Sequence, residues 1–327
     1  MTARWKGFNL LNMFYKGGKK SDSPFAEEDF RMMSEWGFNF VRIPADYRIV
    51  IKSNDWNIMD ENAMRRIDDA VELGGRYNIH ICLNLHRAPG YTVANPPEAA
   101  DLWTQKEPQE AFCRMWAYFA ERYKDVPVER LSFNFVNEPA SVDEAPYAAV
   151  IRMAANAIRE KDSKRLLIAD GLNFGRIPVY MIKDLDIVQG ARGYEPFNLT
   201  HYKAEWVEDS MNFPVPEWPD KNSGDSGNDS GKWLWDGHFK QWDKFKKDGG
   251  QYFVGEWGAH NKTPHKVVLK WMEDNLRNFK NAGTGWALWN LHGSFGILNS
   301  GRADVEYEDF NGYKLDRQML NLLLKYL

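Results

Sequence analysis

The chain has 327 residues, a formal net charge of −4 and 14% aromatic residues, including 14 tryptophans. That length suits an α/β barrel with insertions and can bury a large core. The slight acidity without a basic run argues against nucleic acid or an anionic membrane as partner, and no apolar stretch approaches the ~20 residues of a membrane span.

Short apolar strand candidates alternate with amphipathic helix candidates along the chain. The strands are expected at Trp5–Asn9, Phe38–Arg42, Ile79–Leu85, Leu131–Val136, Arg165–Ala169, Ile187–Tyr194, Tyr252–Gly255 and Gly285–Trp289. Helical spacing of apolar residues places helices at Glu27–Trp36, Asn62–Tyr77, Gln109–Tyr123, Pro146–Lys161 and His265–Ala282. Eight strands with intervening helices predict a single α/β domain over residues 1–327, a (β/α)8 TIM barrel. No signal leader is expected, since Trp5–Leu10 already reads as strand. A cytoplasmic protein, or a secreted one whose leader has been removed, stay open. Cys82 and Cys113 suggest neither a disulfide framework nor a metal site, and the seven histidines show no zinc-type spacing. A monomer without metal or organic cofactor is the expectation.

One segment, about 205–238, breaks the rhythm as a long insertion after strand six. Its middle, Asp220–Gly231, is rich in Gly, Ser, Asp and Asn and is expected to be mobile. Asp and Asn raise a calcium site there, but their spacing fits no known calcium loop. Trp206, Trp218, Trp233 and Trp235 flank that middle; they form either a small satellite core or one wall of a cleft.

Chemistry concentrates at the strand ends, which gather at one face of a parallel barrel. Asn137-Glu138-Pro139 follows strand four, and Gly255-Glu256-Trp257-Gly258 ends strand seven. Burying a lone carboxylate is costly. Two of them at the same rim suggest a facing pair, the arrangement that glycosidic-bond hydrolysis requires. Arg42, His86, Arg192, Tyr194 and Trp289 stand at other strand ends. Singly each has a bland reading, as ion pair, turn residue or core packing; their shared address is the signal. The aromatic surplus would then stack sugar rings in the cleft.

These elements resemble glycoside hydrolase family 5, the cellulase and mannanase family. The resemblance runs from Gly7-Phe8-Asn9 to Trp289 and is carried by Val41-Arg42-Ile43-Pro44, Leu85-His86 with Ala88-Pro89-Gly90, Asn137-Glu138-Pro139 and Gly255-Glu256-Trp257-Gly258. It implies a (β/α)8 barrel and a retaining double displacement, with Glu256 as nucleophile and Glu138 as acid/base. It also implies that Asn137 binds the sugar 2-hydroxyl, that Arg42 and Tyr194 attend the nucleophile, that His86 lines the cleft and that Trp289 is a platform under the sugar. One departure stands out. Where the family carries His-x-Tyr at strand six, this chain reads Arg192-Gly193-Tyr194.

The expected activity is endo-β-1,4-glucanase on a β-glycan or oligosaccharide. Alternatives within the class are β-mannanase, β-1,3 or mixed-linkage glucanase and exo-β-glycosidase. A non-catalytic carbohydrate-binding barrel is the competing class. An aldolase or phosphosugar isomerase is a third, disfavoured because no Gly-rich phosphate loop follows strands seven and eight.

Overall fold

The computed structural model describes residues 4–18, 23–219 and 230–327. Residues 220–229, most of the segment expected to be mobile, lie outside the described residues, so the calcium reading has no structural counterpart here. Eight parallel strands close into a barrel in sequence order. They are β1 (Lys6–Asn9), β2 (Phe40–Asp46), β3 (His80–Arg87), β4 (Leu131–Asn134), β5 (Leu166–Asp170), β6 (Val188–Gly193), β7 (Tyr252–Trp257) and β8 (Trp286–Leu288). β8 returns to β1, with Lys6 opposite Trp286 and Phe8 opposite Leu288. The strands are buried on both faces, which is why they read as continuous apolar runs.

Boundaries differ from expectation for local reasons. β2 continues four residues past Arg42, and β7 runs through Glu256 to Trp257. Polar residues do not stop a strand when the barrel interior hydrogen-bonds them. The helices Lys106–Tyr123 and Glu144–Arg159 begin before Pro108 and Pro146, because proline is tolerated in a first helical turn, where its missing N–H would be unpaired anyway. Between β5 and β6 only short helical turns form, chiefly Tyr180–Leu185. A hairpin, Glu308–Phe310 with Tyr313–Leu315, and a closing helix, Arg317–Leu324, follow β8 and were not foreseen.

The barrel interior is divided along its axis. At the strand starts, Trp5, Phe40, Cys82, Ile168, Val188, Phe253 and Ala287 form an apolar plug. The Trp5, Phe40 and Phe253 rings meet across it at 4.8–5.5 Å. Above the plug the interior turns polar: Asn9, Arg42, Asn84, Asn134 and Asp170 are all buried. Apolar side chains of strands and helices form the surrounding core. Trp116, Trp242, Trp257, Trp271 and Trp286 are fully buried, so much of the tryptophan surplus serves packing rather than a cleft. Each such ring stabilises the fold by about 1.5–3 kcal/mol relative to exposure.

Between β6 and β7 the chain forms Ser230–Leu234, Trp235–Phe239 and the helix Lys240–Lys247. Trp218 is buried, donates from its indole to Asp274 at 2.9 Å and meets Trp233 edge-on. Trp233 and Trp235 pack against the main core. Core packing therefore describes three of these four tryptophans, in the main core rather than in a separate satellite, whereas Trp206 is 62% exposed. Both cysteines are free thiols, and no helix among the described residues is long and apolar enough to cross a membrane.

Strand β1 fits against β2 only because Gly7 lacks a side chain; a Cβ there would run into the carbonyl oxygen of Phe40. Gly7→Ala is expected to destabilise the protein by about 1–3 kcal/mol through overpacking, read as a lowered urea midpoint at unchanged m-value.

Candidate active site

Arg42 anchors the polar half of the interior. Its side chain rises from β2, is wholly buried and spends its donors on four partners. Nε donates to Asn134 at 3.0 Å, Nη1 to Asn9 at 3.1 Å and to Glu256 at 2.5 Å, and Nη2 to Asn137 at 2.8 Å. Asn9 in turn donates to the carbonyls of Gly255 and Leu288, tying β1 to β7 and β8. Glu256 thus receives a charge-assisted hydrogen bond from a cation held in place by three asparagines. The Tyr194 hydroxyl donates to the other Glu256 oxygen at 3.1 Å. Burial, and then Glu256 itself, hold the Tyr194 phenol well above its usual pKa, so it remains a donor.

A second cation faces Arg42 across the rim. The β6–β7 register shifts between Ala191 and Arg192, which sets Arg192 opposite Glu256. Such bulges re-aim side chains at barrel rims. Arg192 donates from Nε to Glu138 at 2.9 Å and from Nη2 to Asn137 at 2.9 Å; Nη2 also bonds Asp170 and lies 3.2 Å from Glu256. One guanidinium therefore touches both Glu138 and Glu256, remote in sequence. Burial alone would lower the Arg192 pKa, but Asp170, Glu256 and Glu138 raise it on balance, so it stays charged.

Glu138 lies just beyond β4 with φ at 47°, an uncommon and costly conformation for a residue with a side chain. Two side chains hold it there. Asp170 accepts from the Glu138 amide at 3.0 Å, and the Tyr91 hydroxyl donates to the Glu138 carbonyl at 2.7 Å while accepting from Ala140. Its carboxyl is 15% exposed, against 4% for Glu256. Burial, and then the neighbouring Glu256, push Glu138 up to about 7 against the opposing pull of Arg192.

Asn137 accepts through Oδ1 from both arginines, which fixes the orientation of its amide. Its Nδ2 is buried without a partner among the described residues, a donor that an incoming hydroxyl could satisfy. His86 lies on β3, stacked on Trp289 with ring centroids 5.6 Å apart. Phe14, from the loop after β1, packs edge-on against both rings. Burial, and then Arg42, keep the His86 pKa well below its usual value, so the ring is neutral; its Nδ1 also has no partner among the described residues. An aromatic track leads outward from Tyr194 through Phe295 to Trp206, at centroid spacings of 6.2 and 6.1 Å.

The structure gathers Arg42, His86, Asn137, Glu138, Tyr194, Glu256 and Trp289 at the same rim. Sequence reading did not single out Asp170, Asn9, Asn134, Tyr91 or Phe14. For Asp170 the signal was available: a lone acid closing the apolar run Leu166–Ala169, the same signature that marked Glu138. Arg192 was marked as a strand-end residue and as a departure from the family pattern, without a role.

A polar, carboxylate-bearing rim on a parallel barrel is the architecture of a glycoside hydrolase, and comparison with known proteins bears out that class. The profile of Cellulase (glycosyl hydrolase family 5) matches residues 2–294, and the chain belongs to that family. Endoglucanase C of Acetivibrio thermocellus is 27% identical over 313 residues, covering 89% of this chain and 91% of that protein. A crystal structure described as a glycoside hydrolase is 36% identical and superposes with a TM-score of 0.92 over 99% of both chains. The Thermotoga maritima Cel5A structure with mannotriose, 22% identical over 98% of both chains, shares the fold with a TM-score of 0.79.

The raised Glu138 sets a sign for stability. Between the ordinary carboxylate value of 4.5 and about 7, the folded chain binds a proton that the unfolded chain releases. This contribution is fully present below pH 4.5 and is lost as pH rises through about 7. Glu138→Gln removes the titration, so its melting temperature should exceed that of the wild type at pH 8, with the gap closing toward pH 4.5.

Proposed function

We propose that the chain is a retaining endo-β-1,4-glucanase in which Glu256 is the nucleophile and Glu138 the acid/base. The observation that carries the assignment is the single Arg192 guanidinium in contact with both carboxyl groups, which makes them close neighbours. Retaining glycosidases place their two carboxyl groups about 5–5.5 Å apart.

The two environments suit the two roles. Glu256 receives hydrogen bonds from Arg42 and Tyr194 and has Arg192 3.2 Å away, as suits an attacking carboxylate. Glu138 is the more exposed and, with its raised pKa, holds a proton near neutrality. In the first step a Glu256 oxygen bonds to the anomeric carbon as the bond to the leaving oxygen breaks, and Glu138 gives its proton to that oxygen. In the second, Glu138 takes a proton from water, whose oxygen displaces Glu256 and restores both groups. The unpaired Asn137 amide would donate to the sugar 2-hydroxyl, a contact that strengthens in the transition state. Trp289, braced by His86 and Phe14, would carry the sugar face.

A β-1,4-glucan substrate and endo action are supported by the near full-length likeness to a protein named Endoglucanase C. Trp206, 62% exposed and braced by the buried Phe295 at 6.1 Å, offers a stacking face for a further sugar unit. Because Cel5A was solved with mannotriose, glucomannan and mannan belong in the substrate panel.

Three outcomes are expected. Glu256→Gln should lose more than ~10³-fold in kcat, measured on cello-oligosaccharides. In the wild type, kcat/KM should fall on the alkaline side with an apparent pKa of about 7, and Glu138→Ala should lose that limb while sparing activated aryl glycosides relative to natural linkages. Chromatography of products from cellulose oligomers, lichenan, laminarin and glucomannan tests the substrate: a ladder of sizes from the β-1,4-glucan supports endo-glucanase action, whereas one released sugar contradicts it.

A further inference from the structure

Arg192 stands where the resemblance leads one to expect a histidine, and the structure builds space for it. A Cβ at Gly175 would lie 2.7 Å from the Arg192 Cγ, and one at Gly255 would lie 3.1 Å from Nη1. Glycine at both positions leaves a slot for the long side chain, which is itself buried and points its fork at three carboxyl groups.

Charge counting gives the slot a purpose. Two guanidiniums, Arg42 and Arg192, face Asp170, Glu256 and Glu138. With Glu138 protonated, two cations meet two anions and the buried cluster is neutral. When Glu256 becomes an ester and Glu138 surrenders its proton, the count is again two and two, but the negative charge has moved from Glu256 to Glu138. Arg42 contacts only the Glu256 end of that path. Arg192 touches both ends.

Resting on the assignment of Glu138 and Glu256 above, we infer that Arg192 is a positioning residue that follows the negative charge between the two carboxyl groups. It holds Glu138 as a carboxylate in the glycosyl-enzyme and so as the base for water. Asp170 fixes Arg192 from the far side and accepts from the Glu138 amide, so one buried pair orients both the backbone and the side chain of the acid/base. A neutral histidine at this place would supply a hydrogen bond but no permanent cation.

The other titratable groups around the pair do not compete for the role. Burial raises Tyr91, Tyr147 and Tyr194, which stay protonated. Burial also lowers His86 on β3 and His238, whose Nε2 lies against the Arg192 carbonyl, so both rings are disposed to be neutral.

The test is the pH dependence of Arg192→Gln and Arg192→Lys beside the wild type, with Arg192→Met replacing the glutamine variant where that one does not fold. Loss of the cation should move the alkaline limb of kcat/KM and the acid limb of kcat for an activated aryl glycoside upward by roughly one pH unit each. The neutral variants should also show a pre-steady-state burst, because deglycosylation slows more than glycosylation. Arg192→Lys should keep both limbs near their wild-type positions. A neutral variant that loses rate evenly across pH, with both limbs in place, overturns the inference and leaves the catalytic pair intact. Retention of near wild-type turnover by Glu256→Gln would instead overturn the pair itself.

Discussion

A closed network of two buried arginines and three carboxyl groups organises this molecule. Guanidinium groups stripped of water are costly unless every donor is occupied and the charge is balanced. Here Arg42 is satisfied by Asn9, Asn134, Asn137 and Glu256, and Arg192 by Glu138, Asn137, Asp170 and its neighbour Glu256. These residues come from β1, β2, β6, β7, the end of β5 and the segment that includes and follows β4. The network therefore forms only when the barrel closes, and it couples correct assembly to the geometry of the rim.

The division of the barrel interior makes this possible. An apolar plug around Trp5, Phe40 and Phe253 fills the lower half. It leaves the upper half free for polar groups whose partners are one another. Such buried networks are sensitive to any vacancy. Asn137 illustrates the economy: two arginines claim its oxygen, and the amide nitrogen left over, without a partner among the described residues, is the donor proposed for the substrate. The backbone of Glu138 is treated similarly, with an uncommon φ held by Asp170 and Tyr91 rather than relaxed.

Much of this was legible in the sequence, for physical reasons. Parallel strands buried on both faces leave apolar runs, and helices on the outside leave a 3.6-residue stripe, so the barrel could be read from the alternation. Glu138 and Glu256 announced themselves as acids in apolar surroundings. Asp170 carried the same mark but had no partner visible along the chain; only closure shows that it meets Arg192 and the Glu138 amide. Asn9, Asn134 and Tyr91 were hidden because asparagine and tyrosine at strand ends are ordinary residues until their contacts are known. Tryptophan misled in the other direction: Trp116, Trp242, Trp257, Trp271 and Trp286 are core, and only the geometry separates them from the half-buried Trp289 and the exposed Trp206. Strand limits slipped at Arg42 and Glu256 because the interior accepts polar side chains where a sequence pattern would end the strand.

The central proposition is that Glu256 forms a covalent bond to sugar while Glu138 stands across from it. Its most direct measurement is trapping with a 2-deoxy-2-fluoro glycoside bearing a good leaving group, followed by mass spectrometry of the digested protein. The account predicts one sugar per chain, attached to the peptide that contains Glu256, with slow release as water attacks. An unlabelled protein that nevertheless turns over natural substrate, or a label on any other carboxyl group, would contradict it.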